Sequence, residues 1–212
     1  PNQIFLTNTG AAINVLNIAG DKATNVTENA VTAAAITTIA VTNTAGVIVD
    51  TSAGIVTGTF TFTGGDGDDT IIFADNALAA LTSGAQLGGG VGSTDKIAIK
   101  DTALTATEYT RINQTSGFEV LGLNADIAVD ASSLVTIKDF SVDASGLTQT
   151  INNMATGSTV TINDVSPTFL TLVTSAGVTD TTIVLGTTTS AGITVDTLVT
   201  TGITSVALVS NG

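Results

Sequence analysis

The sequence holds no cysteine, no histidine and no tryptophan, and only one tyrosine, one methionine and two prolines in 212 residues. Without cysteine there is no disulfide to staple the fold and no thiolate to ligate a metal or attack a substrate. Without histidine the usual general acid or base is missing. Basic residues are scarce, 5 Lys and Arg against 18 Asp and Glu, which leaves a net charge of -13. That balance argues against nucleic acid, whose phosphates require clustered Lys and Arg. No apolar run reaches the length of a membrane-spanning helix, so membrane insertion is not expected. No signal peptide is visible. The chain opens on Pro1 without a Met and closes on Ser210-Asn211-Gly212, and reads as a segment of something longer.

What is present points to strands. Apolar residues make up 43% and aromatics 4%, so the core is built from small and β-branched side chains, which favour extended backbone. The acids are mostly Asp, the glutamates being only Glu28, Glu108 and Glu119. Asp suits turns and short-reach oxygen cages, as Glu suits helices. All the Lys and Arg lie at or before Lys138. The stretch from Asp139 onward therefore has no internal cation to offset its carboxylates; divalent ions or a neighbouring chain would have to do so if they cluster.

Along the chain, residues 1–63 read as strand-rich, with Thr57 to Thr63 a period-two strand that sets Phe60 and Phe62 on one face. A short helix is expected after Asn76, capped by that residue. A second is expected from the capping box Thr105-x-x-Glu108, stopping at Gly117, with Phe118 to Leu121 as the next strand. Val-Asp-Ala-Ser occurs at 129–132 and 142–145, and Thr-Ser-Ala-Gly at 51–54, 174–177 and 189–192. Such degenerate recurrence suggests stacked coils. Three segments follow: 1–63, 64–165 carrying the glycine turns, and a Thr-rich 166–212.

Residues 64–72, Gly-Gly-Asp-Gly-Asp-Asp-Thr-Ile-Ile, fit G-G-x-G-x-D-x-U-x at every fixed position, the pattern of calcium-binding β-rolls. Gly64, Gly65 and Gly67 are expected to allow positive φ. Backbone oxygens could then face inward beside Asp66, Asp68 and Asp69, and Ile71 would point into the core. A second turn, Gly89-Gly90-Val91-Gly92-Ser93-Thr94-Asp95, has one residue more before its Asp. It supplies Gly90, Gly92 and Asp95 as further candidate Ca²⁺ ligands. An EF-hand fails on the same residues: Ile71 occupies the place of its glycine and Ala77 that of its bidentate Glu. A phosphate loop fails too, since no Gly-Lys-Ser/Thr follows the second turn.

Over roughly residues 58–165 the chain resembles the RTX-type bacterial surface-layer proteins secreted by the type I route. The resemblance rests on the nonapeptide, on Asp95-Lys96-Ile97, on Leu104-Thr105-Ala106-Thr107-Glu108-Tyr109 through Phe118-Glu119-Val120-Leu121, on the Val-Asp-Ala-Ser motifs and on Ile151 to Val160. It implies a parallel β-solenoid with calcium between turns, assembly with copies of itself, and an extracellular place on the bacterial surface, with polysaccharide contacts left to other parts of a full chain. The family's nonapeptides come in tandem, whereas Gly64 and Gly89 lie 25 positions apart. Only if about seven residues around Ala77 to Gln86 loop out do Asp69 and Asp95 stack in the family's manner and share one ion. The expected fold is an all-β parallel solenoid with one or two short helices, with β-sandwich flanks as an alternative. The expected role is structural rather than enzymatic. A repeat of a large secreted adhesin is the alternative, and a polysaccharide-cleaving β-helix a weaker one, for want of aromatic and cationic residues to hold a sugar.

Overall fold

The computed structural model describes residues 1–8, 13–30, 36–53, 56, 58–163, 167–178, 180–186, 193–203 and 205–210. The chain divides by internal packing into two units, residues 1–100 with 105–119, and residues 101–104 with 120–212. Each is a parallel β-solenoid.

In the first unit the strands are β1 (Asn2–Asn8), β2 (Val15–Gly20), β3 (Thr24–Ala30), β4 (Thr38–Asn43), β5 (Val47–Asp50), β6 (Thr61–Thr63), β7 (Thr70–Phe73), β8 (Gln86–Gly88) and β9 (Lys96–Ile99). Odd strands pair in the order β1-β3-β5-β7-β9 and even strands as β2-β4-β6-β8, so the chain alternates between two sheets and rises one strand per coil. The sequence period produces this. In β4, Ile39, Val41 and Asn43 are buried and alternate with half-buried or exposed residues, as a strand with one face on a core requires. Phe60, Phe62, Phe73 and Ile71 are wholly enclosed. Phe60 meets Phe73 edge-on at 6.3 Å, and Phe62 stacks on Phe118 at 6.1 Å. Each such side chain contributes about 1.5–3 kcal/mol relative to exposure.

Two short helices interrupt the coils. α2 (Ala106–Asn113) carries both halves of its capping box, Glu108 N–H donating to Thr105 Oγ1 and Thr105 N–H to Glu108 Oε2. α1 (Ala77–Ala80) begins where expected, but Asn76 is in the left-handed conformation, φ 60°, and its side chain makes no cap hydrogen bond. The expected Asn76 cap is therefore corrected: the residue serves through its backbone, a conformation Asn tolerates better than most.

The second unit comprises β10 (Val120–Leu123), β11 (Ile127–Asp130), β12 (Asp139–Val142), β13 (Thr148–Met154), β14 (Ser158–Ile162), β15 (Phe169–Thr174), β16 (Asp180–Leu185), β17 (Thr197–Thr201) and β18 (Ser205–Ser210). Its sheets run β10-β12-β14-β16-β18 and β11-β13-β15-β17. Its core is Leu121, Leu123, Phe140, Val142, Val160, Ile162, Leu170, Leu172 and their neighbours.

Two expectations change here. The flanks are coils rather than sandwiches, because β1 with β3 and β16 with β18 pair in parallel. The Val-Asp-Ala-Ser copies fall at different points of the coil, one closing β11 and the other closing β12, so they do not mark its period. Of the Thr-Ser-Ala-Gly copies, 189–192 lies outside the described residues.

Candidate metal centre

The two glycine turns lie one above the other at a corner of the first unit. Gly64 N–H donates to Gly88 O at 2.8 Å, and Val91 N–H to Gly65 O at 2.9 Å. Thr70 pairs with Lys96, 26 positions on, whereas Ile48 pairs with Thr70, 22 positions on. The segment after the nonapeptide therefore carries about four surplus residues rather than seven, because every coil here is longer than two nonapeptides. It does not loop out: Leu78 and Leu81 are buried, and β8 pairs with β6.

The glycines are needed for a different reason from the one expected. Positive φ occurs at Gly90 (φ 114°) but not at Gly64, Gly65 or Gly67. Those three permit close approach of neighbouring coils. A Cβ on Gly64 would lie 1.5 Å from Gly89 O, and one on Gly67 would lie 2.1 Å from Gly46 N. Backbone thus packs directly on backbone at this corner, and no side chain fits between.

Beneath the glycines runs a ladder of acids. Asp69 is fully buried; its Oδ1 accepts Val47 N–H at 2.7 Å and its Oδ2 accepts Gly65 N–H at 2.6 Å. Asp95, also fully buried, accepts Asp69 N–H through Oδ1 at 2.6 Å. Glu119 in turn accepts Asp95 N–H through Oε2 at 2.9 Å. Each carboxylate therefore satisfies an amide of the coil before it. Asp69 and Asp95 do become neighbours, joined by the hydrogen bond from Asp69 N–H to the Asp95 carboxylate. Burial raises both above the ordinary carboxylate value, partly offset by the N–H groups they hold, and Asp95 is pushed up to about 6, with Glu119, Asp69 and Asp68 adding repulsion. Asp95 Oδ2 is buried and has no hydrogen-bond partner among the described residues, an arrangement that costs free energy unless the group takes up a proton or something positive lies against it.

Asp66 and Asp68 are exposed and turn the other way. They line a polar surface groove of about 420 Å³ with Thr44, Ala45, Gly67, Val91, Gly92 and Ser93. Burial pushes Asp68 up, but the amides and hydroxyls of Ser93 and Thr94 outweigh it, so the group ends below its ordinary value. Among the described residues no three acidic side chains gather into a group that could hold a metal ion. The donor chemistry nonetheless suits a hard cation: a Cβ on Gly92 would lie 2.6 Å from Asp95 Oδ1 and 2.8 Å from Gly67 O, so a carboxylate and a carbonyl oxygen of adjacent coils face one point.

Reading the residues alone misses Asn43 and Glu119. Asn43 holds the same corner one coil earlier, donating to Lys22 O at 2.8 Å and accepting Ala45 N–H at 2.7 Å. The signal for both is spacing: stepping one coil from Asp95 reaches Glu119, and stepping back one coil from Gly65 reaches Asn43. In comparisons with known proteins, no family model, no curated protein and no solved structure matches this chain.

Proposed function

We propose that this chain is a structural β-solenoid of a secreted assembly such as a bacterial surface layer, with calcium latching the glycine corner. The observation that carries the reading is Asp95 Oδ2, a buried carboxylate oxygen with no hydrogen-bond partner among the described residues. Asp95, Asp69 and the backbone oxygens of the two turns are the residues that would hold the ion, which would supply the positive charge the ladder lacks. This chain's own part is to hold those oxygens in place: the glycines let the coils close on each other, and Val47, Gly65 and Asp69 N–H groups fix the carboxylates. A cation that binds the folded corner and not the unfolded chain adds its binding free energy to stability. Extracellular calcium is abundant, so a dissociation constant on the order of 10⁻⁴–10⁻³ M suffices.

The test is thermal unfolding with added calcium and with excess chelator. Calcium is expected to raise the melting temperature of the parent chain, and Asp95→Asn to remove that increment while Asp130→Asn leaves it. An identical melt in calcium and in chelator overturns the latch.

A further inference from the structure

Glu28 is a buried acid that neither the glycine corner nor the calcium latch uses. It lies near the end of β3, is 1% exposed, and shares the inward phase of Val26 two residues before it. Glutamate is almost never enclosed to this degree without a partner. Neither of its carboxylate oxygens has a hydrogen-bond partner among the described residues. The Ile36 amide eases the cost of burial but forms no proper hydrogen bond with either oxygen. Desolvation therefore wins and raises the group above its ordinary value.

The surroundings offer no cation. β1, which pairs with β3 on one side, carries no charged side chain, and neither do β2 and β4 of the other sheet. On the other side β5 brings Asp50, the partner of Thr27 and so out of phase with Glu28. Asp50 faces Lys100 at 3.7 Å and accepts Ser52 N–H at 2.8 Å. Thr51, the next residue, donates its hydroxyl to Ile72 O at 2.7 Å. Asp69 meets β5 at its opposite end, at Val47. Asp21 and Lys22 are exposed and lie against each other at 3.5 Å. From Ala23 to Val49 the sequence holds no charged residue besides Glu28, and residues 29–35 are Asn, Ala, Val and Thr alone. An ionised carboxylate in this place is a charge with neither water nor a counter-ion, whereas a carboxylic acid is far less costly to bury.

We propose that Glu28 is a proton-operated closure of the first coils, which shut over its neutral carboxyl and loosen when it ionises. The folded value lies above the ordinary one, so the closure is complete below about pH 4.3 and is lost as pH rises through the raised folded value. Coils of a solenoid pack mainly on their immediate neighbours, which confines the loosening to strands β1 to β5. The inference goes beyond the calcium reading and does not depend on it, because Glu28 lies toward the strand ends away from the glycine corner.

The experiment is hydrogen exchange read by mass spectrometry in chelator, from about pH 4 to about pH 8, each rate divided by that of the unstructured peptide at the same pH. In the parent, opening of β1 to β5 is expected to grow by up to tenfold per pH unit above about 4.3, then to level off past the folded value. Glu28→Gln is expected to remove that growth. Because a buried amide could itself loosen the coil, Glu28→Met, apolar and of similar length, is the second variant and should be equally flat. Residues 86–99, which carry Asp95, should keep the parent's pH profile in both variants. Opening of β1 to β5 that ignores pH in the parent, a slope that persists in either variant, or an equal change at residues 86–99 overturns the proposal. A calcium-dependent melting shift retained by Glu28→Met keeps the latch standing if the closure fails. Loss of the calcium shift in the parent, with the Glu28 slope intact, removes the latch and leaves the closure.

Discussion

The Asp69–Asp95 ladder of the first unit and the Asp130 turn of the second use acids of opposite character. In the first, Asp69 and Asp95 are fully buried beneath backbone-on-backbone glycine turns, and burial raises both above their ordinary values. In the second, Asp130 is held below its ordinary value by Asn153 Nδ2 and by the hydroxyl and amide of Ser132. Asp126 and Asp139 likewise accept the amides of Thr148 and Thr159 at 2.6 and 2.7 Å. An acid near water with neutral donors around it stabilises its coil as a charged group. The same acid without water stabilises its coil best when something neutralises it. The difference lies in what the neighbouring glycines exclude, since both units use Asp as an acceptor for backbone N–H groups.

The largest effect should come from the glycines themselves. Gly64→Ala or Gly89→Ala drives a Cβ to 1.5 or 2.0 Å from a carbonyl oxygen of the next coil, and should cost about 3 kcal/mol or more in chemical denaturation. Gly146→Ala meets nothing within 4 Å and is strained only by its φ of 73°, so about 1–2 kcal/mol is expected. Equal costs would mean that the corner is not tightly stacked.

Next in size is removal of a rung. Asp69→Ala strands the amides of Val47 and Gly65 in a dry corner, at about 1–3 kcal/mol for each unsatisfied group. Asp130→Ala exposes its former donors to water, and less than about 1 kcal/mol is expected. Urea titration of the two variants compares them directly; a costlier Asp130→Ala would reverse the reading of both units.

The most diagnostic effect is on pH dependence in metal-free buffer. The folded value of Asp95, about 6, exceeds the unfolded value of about 3.9. Its contribution is therefore complete below about pH 4 and is lost as pH rises through 6, because the unfolded chain releases its proton first. Asp130 has the opposite sign: its contribution is present above the ordinary value and fades as pH falls through the lowered folded one. Asp95→Asn should flatten the decline in melting temperature between pH 4 and 7. A decline that survives the substitution would assign the slope to another group, with buried Glu28, raised by desolvation, the first to examine.

Local features were legible in the sequence, and distant ones were not. The capping box at Thr105 and Glu108 is a three-residue signal, and the structure contains both of its hydrogen bonds. The alternation around Phe60 and Phe62, and the inward Ile71 after the turn, follow from a period of two. The coil length does not follow from any local pattern, because each rung joins residues more than twenty positions apart. Glu119 therefore reads as an ordinary strand-entry acid until its partner Asp95 is known. The glycines misled for a related reason. A glycine required by φ and a glycine required by a neighbour's carbonyl look alike in sequence, and Gly64, Gly65 and Gly67 are of the second kind.

The ladder also has a direction along the chain, and the direction differs between the units. In the first unit the amides of Val47, Asp69 and Asp95 wait for acids that come later in the chain, at Asp69, Asp95 and Glu119. In the second unit Thr148 and Thr159 find acids already made, at Asp126 and Asp139. In both units a rung can close once the later of its two residues has been made, so along the first ladder the rungs become available in chain order: Val47–Asp69, then Asp69–Asp95, then Asp95–Glu119. The α2 helix just before Glu119 is closed by contacts three residues apart, so the last acid of the ladder follows a segment whose own structure needs no other coil.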